Sequence, residues 1–309
     1  MIFNKKLLKN NKYRIKIHIK SFLDLSIYTV DFAKSWRGVT MRSIQQLVRF
    51  GWEQALSCLF PVVIFASLAL TKIFPLPFLS RYDWLFIIFL IAQWWMVKSG
   101  LETRDELKVI TLFHLIGLAL EIFKVHMGSW SYSEKGFFKI LGVPLYSGFM
   151  YASVASYIIQ AWRRLKIELV NWPSFSFVVP FATAIYLNFF THHFWMDVRW
   201  WLTALVIIVF WRSCVTYEVN GVRYRMPITL SFFLIGFFIW IAENIATFFE
   251  AWKYPNQTEA WSPVHFGKIS SWLLLVIVSF LIVATLKRVK ATYTDGRSQF
   301  QRPFTKTDL

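Results

Sequence analysis

Eight apolar runs separated by short polar connections constrain this chain more than any single motif. They fall at roughly residues 54–74, 82–97, 109–123, 143–162, 174–194, 200–215, 227–250 and 269–286. A bilayer core takes about 20 apolar residues of helix to cross, and inside it every backbone N–H and C=O must be satisfied by the chain itself. Helix does this within one segment. Several runs are shorter than an ideal span, so their ends are expected to continue into the flanking residues. A soluble fold fails on surface area: hydrophobic residues are 56% of 309, mean hydropathy is +0.46, and there are 32 Phe and 16 Trp to cover. The expected fold is an all-α polytopic membrane protein with about eight transmembrane helices.

Charge supplies the orientation. The net charge is +17, yet it is concentrated between the spans. With the N-terminus inside, 26 of the 34 Lys and Arg fall on the cytoplasmic side and 8 on the other. That is the positive-inside pattern. It implies a multi-pass protein of the cytoplasmic (inner) membrane with both termini cytoplasmic, and it accounts for the charge without nucleic acid as a partner. Residues 1–53 form a basic cytoplasmic arm that lacks the apolar core of a secretory signal. Within it Trp36, Val39, Ile44, Leu47 and Val48 fall near helical spacing between Arg37, Arg42 and Arg49. This spacing suits an interfacial amphipathic helix on anionic lipid; the plain alternative is a solvated tail that only fixes orientation. Residues 54–286 form the bundle and 287–309 a basic, disordered-looking cytoplasmic tail. Cys58 and Cys214 lie in apolar runs and are expected as core residues, with no disulfide framework.

Within the bundle one pattern repeats. Glu121, Trp130 and Tyr132 have the spacing of Glu243, Trp252 and Tyr254, which follow 122 residues later. Each set begins inside an apolar run and ends in the polar loop beyond it. The same shift carries span one onto five, two onto six and four onto eight within a few residues. An even number of spans between copies preserves orientation, so the pattern implies a parallel 4+4 repeat, residues 54–162 and 174–286, about an axis normal to the membrane. Carboxyl groups in hydrocarbon are costly and commonly functional, which makes Glu121 and Glu243 the first candidates for a site. His114 lies two turns from Glu121 on the same helix face, and Asn244 is adjacent to Glu243. Trp130, Tyr132, Trp252 and Tyr254 would roof a cavity if their loops fold inward. Their plain alternative is interfacial belt anchoring; that of the carboxyls is a structural hydrogen bond between helices.

A third cluster, His192, His193 and Asp197, links spans five and six. Either His with Asp197 would make an acid–base pair, or the group caps a helix. Adjacent His on a helix diverge by about 100°, and the spacing is no zinc signature, so no metal is assigned. There is no Walker loop, dinucleotide fingerprint or nucleophile elbow, and the cofactor stays unassigned.

The strings His114-x6-Glu121 through Tyr132, Gly142-Val143-Pro144 through Tyr151, Tyr186 through Phe194, Asp197-x-Arg199-Trp200, Trp240 through Asn244 and Tyr254 through Gln257 resemble a bacterial integral membrane family, domain of unknown function 817. The likeness covers about Phe50 to Leu286 and implies a membrane fold and a site among these residues, without a reaction. A fainter likeness to carotenoid hydratase membrane proteins rests on Leu141-Gly142-Val143-Pro144 and implies acid–base chemistry on an isoprenoid. Two functions are therefore expected in turn. One is a secondary transporter of a small solute, with Glu121 and Glu243 titrating and the aromatics as outer gate. The other is a membrane-embedded hydratase or hydrolase on a lipid or isoprenoid, with a Glu as acid and His192 or His193 as base. A purely structural partner is the remaining alternative.

Overall fold

The computed structural model describes residues 42–300, with side chains to residue 285. The arm before residue 42 and the tail beyond 300 lie outside the described residues. Two units divide at Trp52. Of the first, the described part is the beginning of helix α1 (Arg42–Ser57), on which Ile44, Leu47 and Val48 are exposed. The second unit carries the rest: α2 (Leu59–Ile73), α3 (Arg81–Lys98), α4 (Arg104–His126), α5 (Ser147–Arg164), α6 (Phe175–Thr191), α7 (Arg199–Val209), α8 (Ile228–Phe248) and α9 (Lys268–Phe300). Each expected span coincides with one helix from α2 to α9. The fold is mostly helical.

Among the described residues three helices are long and apolar enough to cross a membrane: α4, α8 and residues 268–285 of α9, or four if α1 and α2 count as one broken span. Eight spans do not follow from length and composition. The reasons are local. α7 has 11 residues, about 16 Å of helix at 1.5 Å each. α5 is rich in Ser, Ala and Gln that face inward, with Ser147, Ser156 and Gln160 buried. α3 carries Arg81, Asp83, Gln93 and Lys98. The outer faces are nonetheless apolar, with Leu90, Ile91, Trp94 and Trp95 of α3 and Trp200, Trp201, Ile207 and Ile208 of α7 exposed.

The chain is not all-α. Strands β1 (Lys139–Ile140) and β2 (Val143–Pro144) pair antiparallel, and β3 (Glu168–Val170), β4 (Cys214–Val219) and β5 (Val222–Pro227) form a sheet in that order. The last hairpin turns on Asn220 and Gly221, both at positive φ (49° and 74°). Asn-Gly between alternating side chains is the strongest short hairpin signal, and here it closes a hairpin in what is expected only as a short polar connection. β4 also takes the end of the run expected as helix to residue 215. Cys58 and Cys214 are half-buried rather than core. Helix α9 continues to Phe300, into the segment read as a disordered tail.

Helix starts follow their caps. Ser80 accepts from the Asp83 N–H at 3.2 Å. Thr103 and Glu106 form a reciprocal capping box that opens α4. Close packing of α4 on α5 depends on Gly117, where an added Cβ would stand 2.5 Å from the Tyr151 ring. Gly236 serves α8 in the same way, with the Leu273 nitrogen of α9 2.8 Å from where a Cβ would be. Tyr151 and Leu273 are themselves 122 residues apart. Gly117→Ala is therefore expected to lower stability by about 1–3 kcal/mol through overpacking, read as an earlier thermal unfolding transition in detergent. An unchanged transition would show that this helix contact yields freely.

Candidate functional site

Glu121 and Glu243 each stand five residues before their helix ends, and both are buried, 6% and 3% exposed. The loop that follows each helix folds back over it. After α4 the Trp130 indole N–H donates to Glu121 Oε2 at 2.7 Å and the Tyr132 hydroxyl donates to the same oxygen at 2.6 Å. The Tyr151 hydroxyl, from α5, donates to Oε1 at 2.8 Å. After α8 the Tyr254 hydroxyl donates to Glu243 Oε1, and the Trp272 indole, from α9, donates to Oε2 at 2.6 Å. Each carboxyl thus has one oxygen held by an indole and the other facing a tyrosine hydroxyl. The distinction matters chemically. An indole N–H only donates, whereas a phenol donates or accepts. A proton on Glu243 can be accommodated on Oε1, where Tyr254 can turn to accept it, and one on Glu121 on either oxygen, since Tyr132 meets Oε2 and Tyr151 meets Oε1.

Burial, with the neighbouring Glu121, pushes the Tyr132 hydroxyl well above the usual phenol range. Burial and Glu243 do the same to Tyr254. Both remain O–H groups near neutral pH.

The two loops meet. The Ser131 N–H donates to the Lys253 carbonyl at 2.9 Å, and the Lys253 N–H returns a bond to Ser131 at 3.0 Å. Ser131 and Lys253 are the middle residues of the two Trp-x-Tyr triplets, 122 apart. The bridge is antiparallel and joins residues that correspond under the 122-residue shift of the sequence pattern. Beside this bridge the Trp130 and Tyr254 rings pack edge to face, with centroids 5.9 Å apart. The Lys268 ammonium lies 5.6 Å from the first ring and 4.7 Å from the second. Such placements over aromatic faces are attractive. The two carboxyl sites are therefore joined through one aromatic pair capped by one cation.

Next to the pair is a cavity of about 100 Å³ lined by residues of α4 to α9 and their loops, among them Lys124, Tyr151, His192, Asp197, Arg199, Glu243, Tyr254, Lys268 and Trp272. The His192 and His193 rings lie 4.1 Å apart. Lys124 donates to His193 Nε2 at 2.9 Å and to His192 Nε2 at 3.4 Å. His192 Nδ1 donates to the Asn188 carbonyl at 2.8 Å, which fixes Nε2 as its acceptor. The expected pairing of either His with Asp197 does not form. Asp197 instead accepts from the Arg199 backbone N–H at 2.9 Å, the Arg199 guanidinium at 2.7 Å and the Asn188 amide at 3.2 Å. Burial opposes its charge, but these donors together hold its carboxyl below the usual range. Among the described residues no three His, Cys, Asp or Glu side chains are grouped to hold a metal.

Other expected site residues lie elsewhere. His114 packs on Phe149, ring centroids 4.4 Å apart, and its buried Nδ1 has no partner among the described residues. Asn244 accepts from the Val264 N–H at 2.9 Å and donates to the Trp240 carbonyl at 2.8 Å, so it pins the following loop. Trp252 is packed against the core and does not reach Glu243. Sequence reasoning missed Tyr151, Trp272 and Lys268 as site residues. The shift of 122 maps Tyr151 to Leu273 and Trp272 to Met150. The second-helix donors thus occupy neighbouring rather than equivalent positions, and a repeat search passes over them.

A family model described as "Protein of unknown function (DUF817)" matches residues 46–280. A Bacillus subtilis (strain 168) protein described as "Uncharacterized protein YoaT" is 80% identical over 250 residues, covering 81% of this chain and 95% of the relative. No solved structure matches. The carboxyl pair, the loops that hold it and the cavity beside it all fall inside the matched span, and the chain belongs to the DUF817 family.

Proposed function

We propose that this protein is a multi-pass carrier of the cytoplasmic membrane that moves a small solute together with protons. In this reading α2–α9 all enter the bilayer as two parallel four-helix repeats, with both termini cytoplasmic and the basic arm against anionic lipid. The exposed apolar faces of α3 and α7 support it, because apolar patches of that extent call for a partner or a lipid solvent. The single observation that carries the function is the cavity beside the Ser131–Lys253 bridge, lined from both repeats and bordered by Glu243. Secondary transporters bind their cargo at the interface between repeats, and this cavity lies on such an interface at the outer helix ends. Glu121 and Glu243 carry the protons, each at an oxygen facing a tyrosine.

The size of the cavity favours a solute over a lipid. About 100 Å³ holds a molecule of a few heavy atoms, whereas sites for larger organic ligands run from about 300 to 1,000 Å³. An isoprenoid hydratase would also want an acid and a base facing each other, and the two imidazoles face an ammonium.

Cells making wild-type protein and the Glu121→Gln, Glu243→Gln double variant at equal membrane abundance should differ in the level of at least one small solute. A difference confined to lipids would instead favour the enzyme, and identical profiles would sink both. Orientation is tested separately. Single cysteines in the loops after α4 and α8 should react with an impermeant thiol reagent added outside intact cells, and one in the β4–β5 turn should not. Labelling of the turn alone would invert the topology.

A further inference from the structure

We propose that the cargo is a small anion, a carboxylate or oxyanion of a few heavy atoms, held between Lys124 and Lys268 in the cavity beside the carboxyl pair. This rests on the carrier reading for its transport role, while the binding site stands by itself.

Three basic side chains line the cavity: Lys124, Arg199 and Lys268. Arg199 has its own carboxylate, Asp197 at 2.7 Å, and also donates to Ser271 at 2.7 Å. The two lysines have none. Lys124 is 4% exposed and its ammonium donates to neutral imidazole nitrogens. Lys268 is placed over the Trp130 and Tyr254 rings. Neither lysine has a carboxylate within 4.0 Å among the described residues, although Glu243 lines the same cavity. Both Glu243 oxygens are occupied by the neutral donors Tyr254 and Trp272. Lys124 is buried and Lys268 half-buried, and the carboxylates Asp197 and Glu243 act on them only through space, without an ion-pair contact. An ammonium held out of water without a contacting anion is costly, and a cavity-bound anion supplies that contact.

Helix polarity adds to this. Arg199 and Lys268 are the first residues of α7 and α9. Basic side chains are unfavourable at the positive end of a helix, so two such placements around one cavity concentrate positive potential there. Serine hydroxyls at 129 and 271, both lining the cavity, supply neutral donors for the remaining oxygens of an anion. The chemistry matches proton coupling: with both carboxyls protonated the cavity is cationic and takes the anion, and loss of the protons returns a carboxylate to compete with it.

The test uses the full chain in nanodiscs with acetate, inorganic phosphate, acetamide and methylammonium as probes. Acetate and acetamide have nearly the same shape, so they separate charge from size. Acetate or phosphate is expected to raise the thermal transition saturably, with acetamide and methylammonium inert. Lys124→Gln and Lys268→Gln should each weaken the anion by about tenfold or more, the scale of one lost charge-assisted hydrogen bond. Lys268→Arg should recover part of the binding, which guards against a folding defect in the Gln variants. Equal binding of acetamide or methylammonium, no saturable effect of either anion, or unchanged anion binding in both folded Gln variants would overturn the assignment. Flux in proteoliposomes separates the two proposals. Anion binding without flux leaves this site standing and removes the carrier, whereas proton-coupled flux of a neutral solute keeps the carrier and removes the anion.

Discussion

Glu121→Ala is expected to destabilise the protein by about 3–5 kcal/mol, and Glu121→Gln by about 1 kcal/mol. The difference lies in what the donors are left facing. Alanine removes the acceptor for the Trp130 indole, the Tyr132 hydroxyl and the Tyr151 hydroxyl at once. A buried donor left without a partner costs about 1–3 kcal/mol, and part of this is recovered because Trp130 is half-buried and can find water. Glutamine keeps a carbonyl oxygen where the indole needs one and turns its amide toward Tyr151, whose hydroxyl can accept. Glu243 has two donors rather than three, so its Ala variant should lose less, about 2–3 kcal/mol on the same scale. Denaturant unfolding in detergent compares the three variants. If Ala and Gln at position 121 prove equally stable, the carboxyl does not anchor the loop. The loss of proton coupling expected of the Gln variants would then lack its structural explanation.

Much of this arrangement is legible in the sequence, and the parts that are not share a cause. The eight helices α2–α9 follow the apolar runs because hydropathy is a local property. The relation between Glu121 and Glu243 was visible because both halves keep the same local string, Glu, then Trp, then Tyr at fixed offsets. What the string does not contain is what comes from another helix. Tyr151 and Trp272 complete the two carboxyl shells from α5 and α9, 30 and 29 residues beyond their partners. Trp252 keeps the spacing and not the contact, since Trp272 already occupies the indole position on Glu243. The His192–Asp197 pairing failed for a related reason. Sequence proximity favoured it, but α4 brings Lys124 to the imidazoles from 68 and 69 residues away. Fewer of the described helices meet the length and composition of a span than there are apolar runs, because α7 is short and α5 turns small polar residues inward for packing.

Arg81 shows the same gap between local signal and long-range role, and its removal should cost about 3 kcal/mol or more. Read as one more external charge, it is in the structure a clamp between α2, α3 and the end of α8. From the first turn of α3 it ion-pairs with Glu134 at 2.9 Å and donates to the Leu68 carbonyl at 3.1 Å and to Thr71 at 3.2 Å. It also donates to the Phe249 carbonyl at 2.6 Å, at the end of α8. Those last carbonyls of a helix have no partner within it. Beyond them the Tyr146 hydroxyl donates to the Ala251 carbonyl, and three residues further Tyr254 turns back to Glu243. Arg81 thus fixes the start of the loop whose end completes the second carboxyl site. Alanine leaves Glu134 unpaired and several carbonyls open, a partly buried ion pair broken from one side. Lysine keeps the charge but lacks the fork that reaches Leu68, Thr71 and Phe249 together, so it should rescue only part of the stability. A double-mutant cycle makes the positioning claim testable. Arg81→Ala combined with Tyr254→Phe should show a coupling of about 0.5–3 kcal/mol, the range for residues in one network. Strict additivity would mean that Arg81 holds the helices together without placing Tyr254. The carboxyl of the second repeat would then owe its geometry to α9 and Trp272.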